Sequence, residues 1–121
     1  DQPKFLFEYG QCLSKTGQYE EGIRILTEGT RLSADPMFYN IMGKDAEALK
    51  HFGQAEACFK QASYMVPHRL YPLYLLAKMY FESGQPEKGR DMARQVIQKE
   101  PKVMSDAVKE MKAELEERLK P

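Results

Sequence analysis

The sequence predicts an all-α protein: three tandem helix–turn–helix repeats closed by one further helix, together a right-handed α-solenoid. Three observations carry that expectation. Small residues recur at one spacing: Gly10, Gly43 and Ala77 lie 33 and 34 residues apart, and so do Gly22, Ala55 and Gly89, and Gly29, Ala62 and Val96. Large apolar residues keep phase with them at offsets of three and four, which places them on one helical face. Turn formers separate the periodic stretches, and self-similarity at this period is the signature of stacked hairpins.

The first unit is expected over residues 3–35. Leu6 and Tyr9 precede Gly10 and Leu13 follows it; Thr16-Gly17-Gln18-Tyr19 breaks the pair, and Leu26 marks the second helix. Glycine in a helix costs about 1 kcal/mol relative to alanine. Gly10 and Gly22, one on each helix, therefore imply that two backbones approach closely. The second unit, 36–69, repeats the pattern with Tyr39, Met42, Ala46 and Phe59. Lys50 stands where the turn glycine should be and Gly53 follows three residues later, so a wider or differently shaped turn is expected there. The third unit, 70–103, carries Leu73, Leu76, Tyr80 and Ala93, with Ser83-Gly84-Gln85-Pro86 as its turn. Pro67 and Pro101 close the second and third units. If Ala46 faces Phe59 and Tyr80 faces Ala93, the small and large residues compensate in volume.

The closing helix is expected over about 105–120. Ser105 is its N-cap. Val108, Met111, Leu115 and Leu119 form the buried stripe, and Lys109, Glu110, Lys112, Glu114, Glu116 and Glu117 a solvated face. Such a helix covers the exposed end of a repeat stack.

Composition narrows the function. The 121 residues amount to one domain, with 18 basic and 18 acidic side chains and a formal net charge of zero. That balance argues against a nucleic-acid partner. No apolar run approaches the roughly 20 residues that span a bilayer, so no direct membrane insertion is expected. The chain opens Asp1-Gln2-Pro3 without an initiator methionine, and an excised piece of a longer protein is expected. Cys12 and Cys58 have no metal-site spacing and read as small hydrophobes within helices, with a disulfide between them as the alternative.

Catalysis finds no foothold. His51 sits at the second turn and His68 in a linker, with no triad or zinc pattern around either. Phosphate-binding, zinc-protease and nucleophile-elbow strings are missing. The Glu20-Glu21 and Glu116-Glu117 pairs fall on polar helix faces rather than in a cleft. No catalytic residue, cofactor or metal is expected.

With these residues in register, the chain resembles the tetratricopeptide repeat family over about residues 3 to 103. Gly17-Gln18-Tyr19-Glu20-Glu21-Gly22-Ile23 and Gly84-Gln85-Pro86-Glu87-Lys88-Gly89 are similar to that family's turn and second-helix opening. The resemblance implies that first helices line a concave groove for a protein or peptide. Its groove positions would be Lys4, Phe7, Gln11 and Ser14, then Met37, Asn40, Lys44 and Glu47, then Tyr71, Tyr74, Lys78 and Phe81. The alternative is that some of these side chains tuck into the core or rest on a second copy, making a homo-oligomer. Some family members clamp a C-terminal carboxylate here with lysine, asparagine and arginine. This chain has Asn40 and Lys44 but places Phe7, Gln11 and Tyr74 at clamp positions, which weakens that expectation.

A second resemblance is narrower. Met65-Val66-Pro67-His68-Arg69-Leu70-Tyr71-Pro72-Leu73-Tyr74-Leu75-Leu76-Ala77-Lys78, with Lys102-Val103-Met104-Ser105-Asp106-Ala107-Val108-Lys109-Glu110-Met111-Lys112, is similar to the soluble tail of bacterial O-antigen ligase/polymerase-like membrane proteins. That resemblance implies a scaffold domain, on the cytoplasmic or the opposite side of the inner membrane, whose parent joins polysaccharide to lipid. Its reacting residues would lie in the membrane portion, so none is carried over to this chain.

Overall fold

The computed structural model describes residues 1–121 and contains seven α-helices and no strand. In chain order they are α1 (Gln2–Lys15), α2 (Tyr19–Thr30), α3 (Met37–Ala48), α4 (Phe52–Met65), α5 (Tyr71–Glu82), α6 (Pro86–Gln98) and α7 (Asp106–Leu119). Consecutive helices pack as hairpins. The first helices α1, α3, α5 and α7 also touch one another in sequence, whereas α2, α4 and α6 do not. An inner row that touches and an outer row that splays make a curved helical solenoid, with the first helices on the concave side.

The core is correspondingly a chain of small clusters. Leu26, Phe38, Ile41, Met42 and Cys58 join the first hairpin to the second. Ala46, Ala55, Phe59, Leu75, Leu76, Met79 and Tyr80 join the second to the third. Leu70, Ala77, Ala93, Val96 and Leu115 fasten α7. Tyr9, in phase with the buried Met42 and Leu76 of the next two hairpins, is exposed.

Gly10, Gly43 and Ala77 are all buried. Each glycine receives a side chain from the partner helix. A methyl at Gly10 would collide with Leu26, and one at Gly43 with the Phe59 ring. Volume is therefore balanced between Gly43 and Phe59 as well as within the cluster where the expected pair, Ala46 and Phe59, packs together.

The three hairpin turns share one geometry. Gln18 N–H donates to Leu13 O, His51 N–H to Ala46 O and Gln85 N–H to Tyr80 O, each at 2.8 Å. With the bonds from Gly17, Lys50 and Gly84 N–H to Ser14, Glu47 and Phe81 O these are Schellman caps, which need a left-handed residue. Gly17 and Gly84 supply it at φ 82° and 76°, and Lys50 adopts φ 62°. The wider or differently shaped second turn expected from sequence does not occur, because the two bonds hold Lys50 in the glycine conformation. Ser105 caps α7 as expected, its Oγ accepting from Val108 N–H at 3.2 Å. Both cysteines are free, Cys12 exposed and Cys58 buried.

Candidate partner-binding groove

Spacing along α3 and α5 builds the concave surface. Met37, Asn40 and Lys44 fall three and four residues apart on α3, and Tyr71, Tyr74 and Lys78 do the same on α5, so each set shares a face. Pro72, in the first turn of α5, is buried and fixes where that helix starts. The Tyr71 and Tyr74 rings stack at 6.1 Å with 25° between their planes.

These two tyrosines stand between two adjoining cavities and line both. The larger, about 860 Å³, is bounded by the α2–α3 and α4–α5 connections and by one end of α7, and includes Met37 and Asn40. The smaller, about 460 Å³, lies between α3 and α5 and includes Lys44, Glu47 and Lys78.

Asn40 is the most deeply placed polar group here, 2% exposed. Its Nδ2 donates to the Met37 thioether at 3.4 Å, which orients the amide and leaves Oδ1 with no hydrogen-bond partner in the protein. A buried acceptor without a donor costs about 1–3 kcal/mol.

Beside it, Tyr74 hydroxyl donates to Glu114 of α7, Lys78 Nζ donates to the Tyr74 oxygen at 3.1 Å, and Lys78 and Glu114 form an ion pair at 3.4 Å. Burial and the neighbouring Glu114 carboxylate push the Tyr74 hydroxyl's pKa up, while the Tyr74 hydrogen bond holds the Glu114 carboxyl below its usual range. Glu47, half-buried and near Glu82, is raised.

Other groove positions taken from the family resemblance lie outside the two cavities. Phe7 meets the Phe38 ring edge-on at 5.2 Å and packs on the core between the first two hairpins. Phe81 lies over Gly89 with the Arg118 guanidinium 5.3 Å from its ring. Gln11 and Ser14 are half-buried on α1, and Ser14 hydroxyl donates to the buried Asp45 carboxylate at 2.8 Å. Lys4 is exposed.

The structure adds Asp35, Val66, Arg69, Val108, Glu110, Met111 and Glu114 to the surface. Glu110 and Glu114 therefore face a cavity, whereas the apolar stripe of α7 predicts a solvated face for them. A fourth first-helix in register would have shown this, because α7 continues the inner row. No group of three or more His, Cys, Asp and Glu side chains could hold a metal ion.

Two models described as tetratricopeptide repeat match the chain, one at residues 3–36 and one at 73–102. The chain carries tetratricopeptide repeats. The hairpin between those two matches has the same turn, with Lys50 in place of glycine. No curated protein sequence matches.

Among solved structures with this repeat architecture, PcrH from Pseudomonas aeruginosa is similar at TM-score 0.85 and 14% identity, over 98% of this chain and 89% of that one. PcrH in complex with the chaperone binding region of PopB is similar at TM-score 0.76 and 15% identity, over 98% and 95%. The first tetratricopeptide repeat domain of Spaghetti (RPAP3), bound to the HSP90 peptide SRMEEVD, is similar at TM-score 0.75 and 19% identity, over 98% and 93%. At these identities the likeness is one of fold. No helix is long and apolar enough to cross a membrane.

Proposed function

We propose that the chain is a non-catalytic interaction module that holds an extended segment of a partner protein along α3, α5 and α7. The observation that carries this reading is the half-buried tyrosine pair, Tyr71 and Tyr74, standing between two adjoining cavities on the concave face. Large aromatic side chains with apolar bodies and polar tips dominate the binding energy of protein interfaces. Complexes of two relatives in fold, one with an HSP90 peptide and one with a segment of PopB, support it.

The test is to select a randomised heptapeptide library on the protein and map amide shifts with a retained peptide. Shifts clustered at Met37, Lys44, Tyr71 and Lys78 are expected. Shifts confined to the outer helices α2, α4 and α6 overturn the reading. Light scattering over a dilution series separates this from a groove filled by a second copy, because a monomer at every concentration excludes self-occupancy.

A second reading concerns the parent protein. The two strings similar to the tails of O-antigen ligase-type membrane proteins, 65–78 and 102–112, both contribute residues to the lining of the larger cavity. On this reading the domain serves lipopolysaccharide or surface-polysaccharide assembly from the cytoplasmic side of a bacterial inner membrane, by assembly or regulation rather than by reaction. A series of apolar spans encoded upstream of Asp1 is expected, and a gene without them overturns it.

A further inference from the structure

Resting on the groove reading, we infer that the larger cavity selects a partner segment with an apolar side chain next to a lysine or arginine, and that Glu110 of α7 sets this preference. Three carboxylates, Asp35, Glu110 and Glu114, line the cavity against one guanidinium, Arg69. Asp35 and Glu110 take part in no ion pair. The Lys78 amine, beside Tyr74, is held by Glu114 at 3.4 Å and by the Tyr74 oxygen at 3.1 Å, so it is not free to receive an acidic group.

The buried Asn40 carbonyl oxygen points the same way. It is an acceptor with no donor, as the carboxylates are acceptors only. A donor-rich segment completes Asn40 and Glu110, whereas an acidic tail sets acceptors against acceptors and adds like charge. A volume of about 860 Å³ leaves room for more than one side chain, with Val66, Val108 and Met111 offering the apolar contact. The preference is local. In the smaller cavity Lys44 balances Glu47, and Lys78 is already paired with Glu114, so the basic side chain belongs to the larger cavity beside α7.

The experiment uses the same end-blocked heptapeptide library, followed by fluorescence anisotropy of a labelled retained peptide. Retained peptides are expected to place lysine or arginine beside leucine, methionine or phenylalanine. Glu110→Lys, at an exposed position, should weaken their binding about fivefold and more at low salt than at high. It should also shift a repeated selection toward neutral or acidic peptides. Retained peptides without a basic preference, or an unchanged Kd in Glu110→Lys while Tyr71→Ala still weakens binding, overturn the charge inference and leave the groove reading standing. If Tyr71→Ala changes nothing, or no peptide is retained, the groove reading falls and this one with it.

Discussion

At the scale of the residue, Lys50 is the informative departure from the repeat. Its two counterparts are glycines, and all three carry the same pair of cap bonds. A side chain in the left-handed region costs about 1–2 kcal/mol, and glycine removes that cost while giving the unfolded chain more freedom. The net expectation for Lys50→Gly is a gain of about 0.5–1 kcal/mol, or roughly 3 °C in Tm. Urea and thermal denaturation check it; an unchanged or lower midpoint would show that the strain assigned to Lys50 is not there. The sequence marked this position as different, and the difference proved chemical rather than geometric. Spacing reports where a turn falls, but backbone bonds decide its shape. Gly43 shows the opposite case. Its burial followed from spacing alone, while its partner, Phe59, depended on the rotation of α4, which no periodicity states.

At the scale of the element, α7 is held by few apolar atoms and several polar straps. Leu115 alone among its side chains is fully buried. Lys112 Nζ donates to Ile97 O at 3.0 Å and Lys99 O at 2.7 Å, meeting carbonyls that the end of α6 leaves without a helical partner. Arg118 pairs with Glu82 at 3.3 Å, and Glu114 accepts from Tyr74. Lys112→Met keeps the side-chain stem and removes both bonds, which should cost about 1–2 kcal/mol. Because stability in a repeat array is largely local, hydrogen exchange across 106–119 should quicken by about tenfold, with α3 and α4 unchanged. Uniform quickening along the chain would show instead that α7 unfolds only with the rest. The helix itself was legible from Ser105 and the Val108–Met111–Leu115–Leu119 stripe. Its place beside the cavity was not, since a helix whose exposed face carries Glu110 and Glu114 looks the same in sequence whether that face meets bulk water or a groove.

At the scale of the whole molecule, opposed carboxylates shape how stability varies with pH. Asp45 is 1% exposed; its burial raises its pKa to about 6, against which the Ser14 hydroxyl and Lys44 act. Below the unfolded value of 3.8 the group is protonated in both states and burial costs nothing. Between 3.8 and about 6 the folded state binds more protons than the unfolded one, so stability falls as pH rises. Above that window the loss is complete and amounts to roughly 3 kcal/mol. Glu47, raised first by burial and then by Glu82, has the same sign. Glu56 and Glu114 have the opposite sign, since the Tyr80 and Tyr74 hydroxyls lower them and their stabilisation is lost as acid protonates them. The two trends meet between them, so the wild-type protein should be more stable in mildly acidic solution than at neutral pH. Asp45→Asn keeps an acceptor for Ser14 and removes the buried charge. It should raise stability at pH 7 and flatten most of the decline between pH 4 and 6, leaving the acid limb unchanged. Urea denaturation across that range measures it, and a variant whose decline matches wild type would mean that Asp45 is solvated in solution.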